Sequence, residues 1–86
     1  MKEKQRDSIL EEIIYLLKEI QPVGEFGEGT MLFEGGLIDS FVIFDRLLPG
    51  LEEKYGISVK PLELLPEHFE TPGAIAEYIE GKIQER

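Results

Sequence analysis

Three stretches of this chain repeat apolar residues every three or four positions, and none of them can keep its stripe dry alone. In the first, Ile9, Leu10, Ile13, Ile14, Leu16, Leu17 and Ile20 form a wide band, with Glu11, Glu12, Lys18 and Glu19 largely opposite. That period is the mark of an amphipathic helix. Ser8 with Glu11 three residues on has the pattern of a capping box, which places this helix at 8–20, and Pro22 closes it. In the second stretch, Phe41, Phe44, Leu47, Leu48, Leu51 and Tyr55 share a face on a wheel of about 100° per residue. Asp45, Arg46, Glu52 and Glu53 fall opposite, and Val42 falls with them. In the third, Ile75, Tyr78, Ile79 and Ile83 line up behind Thr71 as N-cap and Pro72 at the first helical position, giving a helix over 72–83. A weaker, proline-bounded helical turn is expected over 61–69. Such elements bury their stripes only against one another, so the expectation is an all-α, single-domain, small four-helix bundle: three main helices and one short one.

The second helix, expected over 40–55, contains Pro49-Gly50. An interior proline loses a hydrogen bond and clashes with the carbonyl four residues back, at a cost of roughly 3 kcal/mol. A kink or break near residues 46–50 is the expected response. Gly56 is placed to end the helix in a left-handed conformation.

Residues 21–39 are a long glycine-rich connection. Loops beyond ~12–15 residues are uncommon in compact domains and are often functional. Val23, Phe26, Met31, Leu32, Phe33, Leu37 and Ile38 are available to anchor it. It ends in Gly35-Gly36-Leu37-Ile38-Asp39-Ser40, where an acid and a hydroxyl meet the start of the second helix. Either can cap free backbone N–H groups, and for an arbitrary Asp-Ser pair capping is the commonest role.

Composition removes several classes of function. The 86 residues carry 18 acidic and 9 basic side chains, for a net charge of −9. Nucleic-acid backbone and anionic membrane would be repelled, and basic protein surfaces attracted. There is no cysteine, hence no thiol of the chain's own. No stretch approaches a membrane span or a signal peptide, and a cytoplasmic monomer is expected. A serine nucleophile needs a base within hydrogen-bond reach. The lone histidine, His68, lies in a Pro- and Glu-rich stretch, and Gly-x-Ser-x-Gly is absent. No metal-ligand spacing or phosphate-cradling glycine loop occurs. A self-contained enzyme is not expected.

The segment 33–40, together with Leu51-Glu52-Glu53-Lys54-Tyr55-Gly56-Ile57 and Thr71-Pro72-Gly73-Ala74-Ile75-Ala76-Glu77-Tyr78-Ile79, resembles the acyl and peptidyl carrier proteins. The likeness runs from about Leu10 to Ile83. It implies a bundle of acyl-carrier type with its long loop between helices 1 and 2. It implies 4′-phosphopantetheine attached to Ser40 by a separate phosphopantetheinyl transferase, with Asp39 helping to hold that enzyme's metal ion. Acyl-loading, acyl-transfer or condensing enzymes with basic patches would dock nearby, with Phe41, Val42, Asp45, Glu52 and Glu53 as candidate contacts. The cargo class stays open: fatty acyl chains in lipid metabolism or secondary biosynthesis, or aminoacyl, peptidyl and D-alanyl groups. An acidic helical interaction module without a prosthetic group is the alternative of another kind. The chain departs from the family in one respect, since carriers usually reach the aromatic at the position of Tyr55 one residue sooner after the serine.

Overall fold

The computed structural model describes residues 5–34 and 38–85 in full and the backbone of residues 2–4. The chain is all-helical, with no strand among the described residues. Helix α1 is Lys2–Ile20. Helix α2 is continuous over 40–55 and is assembled from three pieces: Ser40–Val42, a π turn Ile43–Leu47, and Leu48–Tyr55. A 3-10 turn, Pro61–Glu63, precedes the short helix α3, Pro66–Phe69, and α4 is Pro72–Glu85. The small helical bundle expected from the three stripes is therefore what forms.

Helix α1 begins six residues before the expected capping box. Ser8 lies inside the helix and exposed, and is not its cap. The residues before it, Lys-Glu-Lys-Gln-Arg-Asp, contain no helix breaker, and most are strong helix formers. The added turns carry Arg6 to the loop, where its guanidinium donates to Glu28 at 2.6 Å. Along α1, Ile9, Ile13 and Leu17 are buried against Ile75, Ala76 and Ile79 of α4, and this pair is the most extensive helix contact in the bundle. Each large aliphatic chain removed from water there contributes about 1.5–3 kcal/mol before entropy is charged against it.

Pro49 neither breaks the chain nor ends α2. The π turn just upstream absorbs it. The Leu48 N–H donates to the Ile43 carbonyl, five residues back rather than four. That wider turn holds one more residue than an α turn and eases the carbonyls away from the proline ring. Because the turn rotates less per residue than an α-helix, it re-aims everything before it. Ile43 comes round above Leu47 and is fully buried, while Phe41, placed on the core face by the wheel, is 70% exposed. Val42, read as a polar-side residue, is half-buried against the core. At the far end, Gly56 takes φ 65°, and the Gly56 and Ile57 N–H groups both donate to the Glu52 carbonyl.

Among its described residues, the loop from 21 to 39 is held by three buried anchors, Phe26, Leu32 and Ile38, with Phe33 half-buried. Val23 and Met31, expected as anchors, point outward, and Leu37 lies outside the described residues. Backbone bonds fasten the loop to the α4 end of the molecule. The Leu32 N–H donates to the Glu70 carbonyl at 2.8 Å, and Gly73 N–H to the Glu28 carbonyl at 2.9 Å. Within the loop, Ile38 N–H donates to the Leu32 carbonyl at 2.9 Å, which fixes the run-in to α2. The expected 61–69 helix is split at Leu64 and Leu65 because Pro66 disfavours helical backbone in the residue before it.

Candidate functional site

Ser40 is the first residue of α2 and is exposed. The two candidate caps are thereby distinguished. Asp39 has extended backbone, φ −77° and ψ 141°, and its Oδ1 accepts the Phe41 N–H at 2.7 Å. The acid does the capping. Its exposure leaves the carboxylate in reach of solvent and of anything approaching Ser40. Ser40 is not needed as the cap, which removes the ordinary explanation for a hydroxyl at this point.

Two grooves flank this junction. The first, about 530 Å³, lies towards the end of α1 and is lined by Ile20, Gln21, Ile38, Asp39, Phe41, Val42, Asp45 and Arg46. The second, about 440 Å³, is bordered by Ser40 itself together with Phe33, Ile38, Asp39, Phe44, Leu64 and Pro66, a mostly apolar set. Ile38 and Asp39 form the ridge between them. Of the candidate contact residues, Phe41, Val42 and Asp45 thus gather in one groove beside Ser40. Glu53 is exposed further along α2, and Glu52 is otherwise engaged: its Oε2 accepts the Val59 N–H at 2.7 Å. Arg46, beside Asp45 on the same face, also lines the first groove and makes it less acidic.

The second groove is backed by aromatic rings. Phe44 meets the buried ring of Phe69 edge-on at 5.3 Å, and Phe69 meets Tyr78 at 5.3 Å. His68 stacks on Tyr78 at 5.0 Å. It stands beside Phe69 and Tyr78 and lines neither groove. The Tyr78 hydroxyl donates to Glu63 Oε1 at 2.7 Å, and Lys82 Nζ donates to Glu63 Oε2 at 3.1 Å. These two bonds, with Lys60's backbone N–H at 3.3 Å, hold the Glu63 carboxyl well below the usual range, at about 2. Burial and the bond to Glu63 push the Tyr78 hydroxyl up. Among the described residues, no group of acids and histidines is arranged to hold a metal ion, and no helix is long and apolar enough to cross a membrane.

Fold and site define a class: a small acidic helical bundle whose long loop delivers one exposed serine, behind a capping aspartate, to a helix start between two grooves. Over 72 residues, 80% of the chain, the sequence is 39% identical to the lincomycin biosynthesis protein LmbN of Streptomyces lincolnensis. Those residues are 26% of that protein, so the chain spans about a quarter of this relative's length. No protein-family model and no solved structure matches the chain.

Proposed function

We propose that the chain is a carrier protein bearing a 4′-phosphopantetheine arm on Ser40 and presenting thioester-linked acyl groups to partner enzymes in a specialised biosynthetic pathway. The observation that carries this reading is Ser40 itself: exposed, at the first position of α2, and relieved of capping by Asp39. The family likeness, the absence of cysteine and the relative's printed role in lincomycin biosynthesis point the same way.

The residues fit the group. The arm, when bound, supplies the thiol the chain lacks. Attachment joins the Ser40 Oγ to the phosphorus of the arm as coenzyme A's pyrophosphate bond breaks. The hydroxyl proton passes to a base on the transferase, and 3′,5′-adenosine bisphosphate leaves. Ser40 needs no base of its own for this, and His68, the one imidazole of the chain, lines neither groove beside it. Asp39 keeps one carboxylate oxygen on the Phe41 N–H and has the other for a transferase-held divalent cation, a hard ion suited to oxygen. The groove of Phe33, Ile38, Phe44, Leu64 and Pro66 is a place for the apolar part of a short cargo to leave water. Phe41, Val42, Asp45 and Arg46 on the other side are a mixed apolar and charged surface for a docking enzyme.

The test is intact mass after incubation with coenzyme A, Mg²⁺ and a broad-specificity phosphopantetheinyl transferase. The chain should gain one arm, and Ser40→Ala should gain none. An unmodified wild type across several transferases, or an arm that still attaches to the variant, would refute the assignment.

A further inference from the structure

The Glu63–Tyr78–Lys82 cluster stands outside the Ser40 machinery but controls one of its walls. The segment 60–66 leaves the bundle between two prolines and has little apolar anchorage: Leu62 is 91% exposed, Leu65 44%, and Leu64 is half-buried. Its own hydrogen bonds are local. Glu63 N–H donates to the Lys60 carbonyl at 2.8 Å, Leu64 N–H to Pro61 at 3.2 Å, and Leu65 N–H to Glu63 at 2.9 Å. Besides Leu64, which packs partly buried against the core, the Glu63 carboxylate ties it to the rest, taking the Tyr78 hydroxyl and the Lys82 ammonium from successive turns of α4. Leu64 and Pro66, the residues next along, line the groove beside Ser40. The same Tyr78 ring lies against His68 and Phe69, and Phe69 supports Phe44 on the opposite side of that groove. One tyrosine therefore joins the tether to both walls.

We infer that Glu63, Tyr78 and Lys82 form a latch that holds residues 60–66 against α4 and thereby sets the width of the groove beside Ser40. Glu63 is a positioning residue: it touches no cargo, and acts through Leu64 and Pro66. A segment held by a few charge-assisted hydrogen bonds opens at lower free energy than a helix held by buried aliphatic chains, so the groove can widen without unfolding the bundle. The latch itself is independent of the carrier assignment. Its consequence for an apolar cargo rests on that reading.

Amide hydrogen exchange at pH 7 on the unmodified chain tests the latch. In Glu63→Gln, and separately in Tyr78→Phe, which keeps the ring, the Leu64 and Leu65 amides should exchange about tenfold faster, while Ile13 and Leu17 in α1 change by less than about threefold. No local acceleration in either variant, or an equal rise everywhere, would overturn it. The second arm uses the chain with acetyl or octanoyl thioesters on its phosphopantetheine and hydroxylamine as the cleaving probe. Glu63→Gln should speed cleavage of the octanoyl thioester several-fold and leave acetyl unchanged; equal octanoyl rates in the two proteins would refute the link to the groove. If Ser40 accepts no arm, the carrier assignment fails, and the exchange data still decide the latch.

Discussion

Where α1 meets α4, Ile9, Ile13, Leu17, Ile75, Ala76 and Ile79 are each at most 1% exposed. Along 60–69 only Phe69 is buried; Leu64 is half-buried against the core, His68 stacks on Tyr78, and one carboxylate reaches a tyrosine and a lysine. The first region is held by non-directional apolar burial, which no single proton governs, and among single substitutions it is weakened most by removing buried atoms. The second is held by directional, charge-assisted bonds, and it can be released by moving one proton or one oxygen. The proposed carrier role would use both: a body that survives repeated docking, and a surface beside Ser40 that can yield. The difference is sharpest when the two regions are attacked by like-sized changes.

The largest expected effect is in the apolar pair. Ile13→Ala removes a fully buried chain from the centre of α1 and should cost about 2–5 kcal/mol, read as a lower urea midpoint with near-native slope. A chain of this size has only some 5 kcal/mol or a little more to lose, so partial unfolding at 25 °C is an acceptable outcome. A loss below about 1 kcal/mol would mean that α1 and α4 are less tightly packed than their burial implies.

Next comes the contact between loop and α4. A Cβ on Gly73 would lie 2.7 Å from Glu28 Cγ and 3.0 Å from the Glu28 carbonyl oxygen, whereas one on Gly81 meets nothing within 4 Å. Gly73→Ala should therefore destabilise by about 1–3 kcal/mol, because one of the crowded atoms is backbone and cannot swing away. Gly81→Ala, in the same helix, should stabilise by about 0.5–1 kcal/mol. Thermal melts of the two variants should move in opposite directions, and movement in the same direction would contradict the loop placement.

Helices α1 and α4 are legible in the chain because their signal is local: a 3.6-residue period, with a Pro stop for one and a Thr-Pro start for the other. Ser40 is legible as a junction hydroxyl for the same reason. What escapes a local reading is everything set by a change of period or by distance. A wheel that puts Phe41 inward and Val42 outward takes about 100° at every step, and the π turn at Ile43–Leu47 does not obey it. Pro49 signals a disturbance, but not that the turn before it widens. The latch joins residues 15 apart, and the Glu52 bond to Val59 turns a docking candidate into a support for the 56–60 bend. One clue is present: a tyrosine on a buried stripe needs a partner for its hydroxyl.

The two residues of the junction itself should separate by a smaller margin. Asp39→Ala removes the oxygen that caps α2 and should cost about 1 kcal/mol. Ser40→Ala, at an exposed position with no capping duty, should stay within about 0.5 kcal/mol of wild type. Urea titrations of both would show the order, and a larger loss for Ser40→Ala would return the serine to a structural role.

The smallest effect on the whole fold, and the one that addresses the latch most directly, is acid titration of Glu63. Its folded-state value of about 2 lies below that of an unfolded glutamate, near 4.5, because Tyr78 and Lys82 bond to the ionised form. A group lowered on folding stabilises the protein fully above the unfolded value and loses that contribution as pH falls through the folded one. The latch's contribution to stability should thus be complete above about pH 4.5 and fade as pH falls towards 2, where the folded carboxyl itself protonates and the latch opens. The carboxyl carbon of Glu63, followed by ¹³C NMR, should titrate near 2 in wild type and at a higher pH in Tyr78→Phe. Meanwhile the α1–α4 pair, which does not depend on that proton, should keep its methyl shifts through the same window. A Glu63 midpoint in the ordinary glutamate range would mean that Tyr78 and Lys82 do not hold this carboxylate in solution, and the 60–69 segment would then differ from the helices only in being exposed.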